Sequence, residues 1–370
     1  MADKGVGVVR APVCNKKPAL KTMSNDGLAG KDLRYVESKR VDIEAVKGYL
    51  EISCEHNHWS NFGPVSLLLE EYIAELLGLE SGLKVVMCAN ATAAMHALVT
   101  LEEVKQGSSQ RWGVSSFGFY SCIQGPLQKA AVYDCDEAGL LDLNMVGADS
   151  VDALIMTNMF GANRDIEKYH KYANDNNKFL LIDSALAFGS HKHVANECIS
   201  FHHTKPWGFG EGGCAIVLAD DEKLFRSLIN FGSGLGSSLS RHAGNGKISD
   251  VSCAYILARL RQMEVLSPLY QAEYERIKAI GTALGLQVLG GNVQHPGTPS
   301  NVPFISQAPL GDIEHPVLPT ARYYQPLENT PVASSIYERI LNIPCHPQMA
   351  TLSDDAIYSS LEGILEKSNG

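Results

Sequence analysis

Apolar residues recur along this chain in two spacings, and each predicts a type of element. Unbroken apolar runs at 84–90, 111–116, 130–134, 152–157, 178–183, 197–201 and 214–219 read as strands buried on both faces. They alternate with segments of helical spacing, which predicts a mostly parallel sheet covered by helices on both faces. One such helix is expected over 64–77. Pro64 suits its first turn, Val65, Leu68, Leu69, Tyr72, Ile73, Leu76 and Leu77 form one stripe, and Gly78 ends it. Residues 249–263 read as a helix leading into a second domain. Residues 293–319, with His295-Pro296-Gly297 and Pro299-Ser300-Asn301, read as connecting structure crossing near the site. The fold class expected is α/β, organised as a polar arm over 1–35, a large domain over 36–240 and a smaller C-terminal α/β domain over 241–370.

Composition narrows the function. A chain of 370 residues fits about two domains. With 45% hydrophobic and 19% charged residues it can bury a sizeable core. A net charge of −10 argues against nucleic acid or an anionic membrane as the main partner. No apolar run approaches the ~20 residues of a membrane span, and the N-terminus lacks a signal-peptide core. The nine cysteines are dispersed, which reads as reduced thiols in a cytoplasmic protein. Cys198, His202, His203 and Cys214 could be drawn together as a zinc site, but their spacing matches no compact metal motif and no metal is expected.

Candidate chemistry sits at three strand ends. The run Phe179-Leu180-Leu181-Ile182 closes on Asp183. The run 198–201 leads through His202, His203 and Thr204 to Lys205, then to the turn Gly210-Glu211-Gly212-Gly213 and the strand from Cys214. Upstream, 84–88 meets Asn90-Ala91-Thr92-Ala93 at the start of a helix, where free backbone N–H groups and small side chains suit an anion such as phosphate. Ligands bind at the carboxyl edge of such sheets. A lysine able to form a Schiff base, beside a carboxylate that pairs with a pyridinium nitrogen, is what a pyridoxal phosphate enzyme needs.

Together these segments resemble the DegT-type sugar aminotransferases, a branch of the fold-type I pyridoxal phosphate enzymes. The resemblance runs from about Asn61 to the C-terminus. It rests on Asn90-Ala91-Thr92-Ala93-Ala94-Met95-His96, Asp183-Ser184-Ala185-Leu186, the stretch from Ser200 to Gly213, Gly244 to Asp250, and Tyr323-Tyr324-Gln325-Pro326-Leu327. It implies that Lys205 is the Schiff-base lysine and Asp183 the partner of the ring nitrogen. Ala91, Thr92 and Ser200 would hold the phosphate, and Ala185 and Phe119 would cover the two ring faces. Asn245 would reach the phosphate from the second subunit of a homodimer with shared active sites. Tyr323, Tyr324 and Lys247 would meet the substrate, a keto sugar carried on a nucleotide, with glutamate as the amino-acid donor.

The departures are specific. Leu186 stands where the family has a glutamine, Ala91 where it has glycine, Lys247 where it has arginine, and Glu328 where a histidine often follows the tyrosine motif. A family subgroup that dehydrates sugars replaces the lysine with histidine. Lys205 argues for transamination instead. A cyclic ketone of the inosose type remains an alternative substrate and a pyridoxal phosphate-dependent sugar dehydratase an alternative activity, and Leu186 keeps a non-catalytic binding or regulatory protein of the same fold in view.

Overall fold

Seven short strands build the main sheet: β1 (Leu83–Cys88), β2 (Trp112–Ser115), β3 (Ala131–Tyr133), β4 (Ala153–Thr157), β5 (Phe179–Asp183), β6 (Glu197–Ser200) and β7 (Gly213–Leu218). The structure is a computed structural model that describes residues 33–147, 149–162, 166–291 and 294–369. Of the arm expected over 1–35, all but residues 33–35 lies outside the described residues. The strands lie in the order β1-β7-β6-β5-β4-β2-β3. Only β7 runs against the others, pairing antiparallel with both β1 and β6. The mostly parallel sheet is as expected. The reversal of β7 corrects the reading of seven strands alternating with helices. Residues 201–212 fold back on themselves, with the Phe201 N–H donating to Gly212 O and the His203 N–H to Gly210 O, both at 2.8 Å, so β7 returns antiparallel beside β6.

Because the sheet is covered on both sides, its strands are apolar on both faces. On β1, Val86 and Cys88 join the core formed with Ala94, Leu98 and Leu101 of the helix Ala91–Gln106. Val85 and Met87 point the other way, onto Val65, Leu69 and Ile73 of the helix Pro64–Leu76 and onto Ile256, Leu257 and Leu260. Period-two alternation between two apolar layers explains why the run shows no polar face.

The helix expected over 249–263 is much longer, Asp250–Ala283, and is capped by Ser249, whose hydroxyl accepts the N–H of Ser252 at 3.2 Å. Its first half packs on the main sheet. Its second half, through Tyr270, Tyr274 and Ile277, packs on Val302, Phe304, Leu341 and Ile343 of a second sheet. Pro268, which removes a helical hydrogen bond, falls between the two packed halves. The second sheet is antiparallel, in the order β10-β9-β8, from β8 (Gln287–Val288), β9 (Asn301–Ile305) and β10 (Ile340–Pro344). The stretch read as connection therefore contains a buried strand. Pro303 breaks the apolar pattern there, yet it is tolerated in β9.

Candidate active site

The carboxyl ends of β1, β5 and β6 converge on one cavity of about 520 Å³. At the first of these ends, the Asn90 side chain caps the helix Ala91–Gln106 by accepting the N–H of Ala93 at 2.8 Å. The N–H groups of Ala91 and Thr92 lie in the unpaired first turn, at the positive end of a helix of 16 residues. The hairpin comes very close here. A Cβ on Gly213 would lie 2.3 Å from the Ala91 nitrogen and from the Asn90 carbonyl carbon. Ser200 is the register partner of Gly213, so its hydroxyl is brought to the same helix start. That hydroxyl accepts the N–H of His202 at 3.2 Å. Two amides of the first helical turn, the small side chain of Ala91 and the Ser200 hydroxyl, all on the cavity wall, fit a phosphate group.

Asp183 closes β5 and is 2% exposed. Its carboxylate accepts the N–H of Ala185 at 3.0 Å and the Thr157 hydroxyl at 3.4 Å, with the Cys198 thiol 3.8 Å away. Burial pushes this carboxyl up, opposed by the Ala185 N–H and by the positive charge of Lys205. Lys205 sits in a tight turn, its N–H donated to His202 O and its carbonyl accepting the N–H of Gly208, both at 2.9 Å. Burial lowers its amine to about 8, with Asp183 acting the other way. An anion and an amine, each displaced toward neutrality inside one cavity, are a pair suited to proton transfer.

The cavity gathers most of the residues expected from the sequence: Ala91, Thr92, Phe119, Asp183, Ala185, Ser200, Lys205, Tyr323 and Tyr324 all line it. Phe119 meets Tyr324 edge-on at 6.0 Å. Burial raises the Tyr324 phenol, helped by Tyr323 and Asp183. Leu186 also lines the cavity and packs against the cluster holding Phe117, Phe160 and Ile336. Asn245 and Lys247 do not line it. Asn245 is exposed and bridges to Asn230, and Lys247 donates to the Asn245 side chain at 2.6 Å. The Lys247 ammonium lies 4.2 Å from the centre of the Phe231 ring, and Phe231 is 66% exposed.

Two groups of residues escaped sequence reasoning. Tyr35, Glu37 and Lys39, in the segment before the first described helix, line the cavity together with His346, and Asn301 lines it within the segment expected to cross near the site. The second group is a buried cluster of His191, His193 and Glu197, placed so that one atom from each could face a metal. Its hydrogen bonds are already committed. His193 accepts the Gly189 N–H at Nε2, so its proton is on Nδ1, donated to Glu197 at 2.8 Å. His191 Nε2 lies 2.9 Å from the same carboxylate, Val194 N–H donates to it at 3.1 Å, and the Ser184 hydroxyl donates as well. Burial would raise Glu197, but the two imidazoles outweigh it and hold the carboxyl at about 2. A metal-bound histidine directs its second N–H at an acceptor, whereas His193 faces a backbone donor. The cluster reads as an anchored anion that ties Ser184, beside Asp183, to the loop 189–194. A glutamate inside the apolar run 197–201 was its only local signal.

The sequence model of the DegT/DnrJ/EryC1/StrS aminotransferase family matches residues 41–284. The chain is 24% identical over 359 residues to protein Rv3402c of Mycobacterium tuberculosis, covering 83% of this chain and 84% of that protein. It is 25% identical over 236 residues to the dTDP-4-amino-4,6-dideoxy-D-glucose transaminase of Shigella dysenteriae, covering 60% of this chain and 63% of that one. Helicobacter pylori PseC, an aminotransferase of pseudoaminic acid biosynthesis, superposes with a TM-score of 0.74 at 18% identity, covering 92% of this chain and all of PseC. The chain belongs to the DegT/DnrJ/EryC1/StrS aminotransferase family, and it is a pyridoxal phosphate-dependent aminotransferase of fold type I.

Proposed function

We propose that this family member moves an amino group from an amino-acid donor, glutamate, to the carbonyl of a keto sugar carried on a nucleotide. The observation that carries this reading is the convergence of Lys205, Asp183 and the helix start at Ala91 and Thr92 on one cavity. The relatives support the substrate class: the Shigella protein is named as a dTDP-aminosugar transaminase, and PseC as an aminotransferase in the biosynthesis of a sugar acid.

The described residues divide the work. When bound, pyridoxal phosphate delocalises negative charge from the carbon beside the amine, so that a proton can leave and return there. Lys205, lowered to about 8, is neutral in about a tenth of molecules at pH 7 and in that form can carry the proton. Asp183 would pair with the ring nitrogen as an anion, a state that burial disfavours and nearby positive charge favours. The amides of Ala91 and Thr92 and the Ser200 hydroxyl would hold the phosphate. Phe119 and Ala185 would cover the ring, and Tyr323 and Tyr324 would border the substrate. Asn245 and Lys247, away from their own cavity, would serve the partner's site in a homodimer. No described helix is long and apolar enough to cross a membrane, and the eight described cysteines are unpaired, in keeping with a cytoplasmic enzyme.

The assignment is tested by borohydride reduction of the protein loaded with pyridoxal phosphate, followed by peptide mass spectrometry. A pyridoxyl adduct on Lys205 is expected. An adduct on another lysine, or none, overturns the assignment.

A further inference from the structure

The turn that carries Lys205 presents several backbone carbonyls to two cations from elsewhere in the chain. Lys39 Nζ donates to His203 O at 2.6 Å, to Gly208 O at 2.8 Å and to Lys205 O itself. Arg259, 1% exposed, donates through Nε to Pro206 O at 2.8 Å. Its Nη2 pairs with Glu37 at 2.5 Å, and the Tyr270 hydroxyl donates to the same carboxylate oxygen at 2.5 Å. Four carbonyls within six residues are thus fixed by one extended segment, 37–39, and one helix.

We propose that Lys39, seated by the Glu37–Arg259 pair, is a positioning residue that aims Lys205 by fixing the backbone of its turn. This rests on Lys205 being the reactive amine. A lysine side chain has many rotamers, so the direction of its amine depends on how firmly its backbone is held. Within the turn the N–H groups of Lys205 and Gly208 are bonded, those of His203 and Phe209 tie its ends, and the buried Trp207 donates to Ser200 O at 2.8 Å, whereas the carbonyls of His203, Pro206 and Gly208 are met by Lys39 and Arg259. Bonds from a charged donor are about twice as strong as neutral ones, and three carbonyls converging on one ammonium use all three of its protons. Burial and the charge of Arg259 lower the Lys39 amine to about 7, with Glu37 acting the other way, so the ammonium that serves all three carbonyls is complete on the acid side of neutrality.

The test pairs two readouts on wild type, Lys39→Met and Lys39→Arg. Hydrogen exchange of the peptide spanning 203–209, in the cofactor-free protein, reads the turn directly. The rate of borohydride-trapped labelling at Lys205, against the affinity for pyridoxal phosphate, reads the aim of the amine. Lys39→Met keeps the stem but not the charge. It is expected to speed exchange in 203–209 about tenfold or more, leave peptides of β4 and β5 unchanged, and slow labelling more than it weakens affinity. Lys39→Arg, whose planar fork cannot serve three carbonyls at once, is expected to fall between the two. Unchanged exchange in 203–209 for Lys39→Met, or exchange that rises equally in β4 and β5, overturns the clamp. If wild type is not labelled at Lys205, the reading of Lys205 fails on its own, and the exchange data still decide the clamp.

Discussion

Lys205→Met should make the cofactor-free protein more stable, and the size of the gain should depend on pH in a way the site dictates. Burial lowers the Lys205 amine from 10.5 to about 8. At about 1.4 kcal/mol per pH unit, this corresponds to about 3 kcal/mol. The sign follows from proton binding. Below pH 8 the amine is charged in both folded and unfolded chains, and the folded chain carries the full cost of burying it. Between pH 8 and 10.5 the unfolded chain holds the proton that the folded one has lost, so stability recovers with rising pH. Above 10.5 both are neutral and the cost is gone. Methionine of similar length avoids the cost throughout. Urea unfolding of wild type and Lys205→Met, stripped of cofactor, should show the variant ahead by up to about 3 kcal/mol at pH 7 and by only about 1 kcal/mol at pH 9.5. The difference between the two proteins also carries the responses of Lys39 and Asp183, whose titrations are coupled to the Lys205 charge. An equal gap at both pH values, or a variant less stable than wild type at pH 7, would refute the claim that a buried, charge-depressed amine occupies this site.

Asp183→Asn removes the anion at the end of β5 while keeping its shape, so turnover should fall on the order of 10²-fold or more with pyridoxal phosphate affinity little changed; near-normal turnover in a steady-state assay would end its role. Gly213→Ala puts a methyl 2.3 Å from the Ala91 nitrogen. This should cost about 1–3 kcal/mol of stability and weaken pyridoxal phosphate binding together; equilibrium dialysis showing wild-type affinity would mean that the helix start does not hold the phosphate. Leu186→Gln restores a polar group on the cavity wall and should shift the absorbance spectrum of the bound cofactor, whereas an unchanged spectrum and pH profile would place Leu186 away from it.

The parts of this site that were legible in the sequence are those whose signal is local. Asp183 and Lys205 end or follow apolar runs, and Asn90 stands between a strand and a helix, so each could be placed at a strand end from its neighbours alone. β7 was legible as a strand but not in its direction, because direction depends on how residues 201–212 fold back, and a helix-free connection of similar length, 184–196, leaves β5 and β6 parallel. β9 was hidden by Pro303 and the flanking prolines. The long helix was cut short at Met263 because its apolar stripe changes face where it passes from one core to the other. Lys39 could not have been found: its partners lie 164 and more residues away, and a lysine in a polar stretch gives no sign that backbone carbonyls will enclose it. Glu197 was absorbed into a strand, since the histidines that stabilise its charge sit in a loop with no periodicity. Asn245 and Lys247 were placed by resemblance alone, and one chain leaves them outside its own cavity.

The most direct measurement is a single half-reaction followed by absorbance. The protein is loaded with the pyridoxamine form of the cofactor and mixed with nucleotide-linked keto sugars, free keto sugars and cyclic ketones in separate runs. Rapid growth of the pyridoxal band with a nucleotide-linked keto sugar, together with one equivalent of amino sugar by mass spectrometry, is the expected result. Growth only with a cyclic ketone, or with none of the panel while Lys205 still accepts the borohydride label, would contradict it.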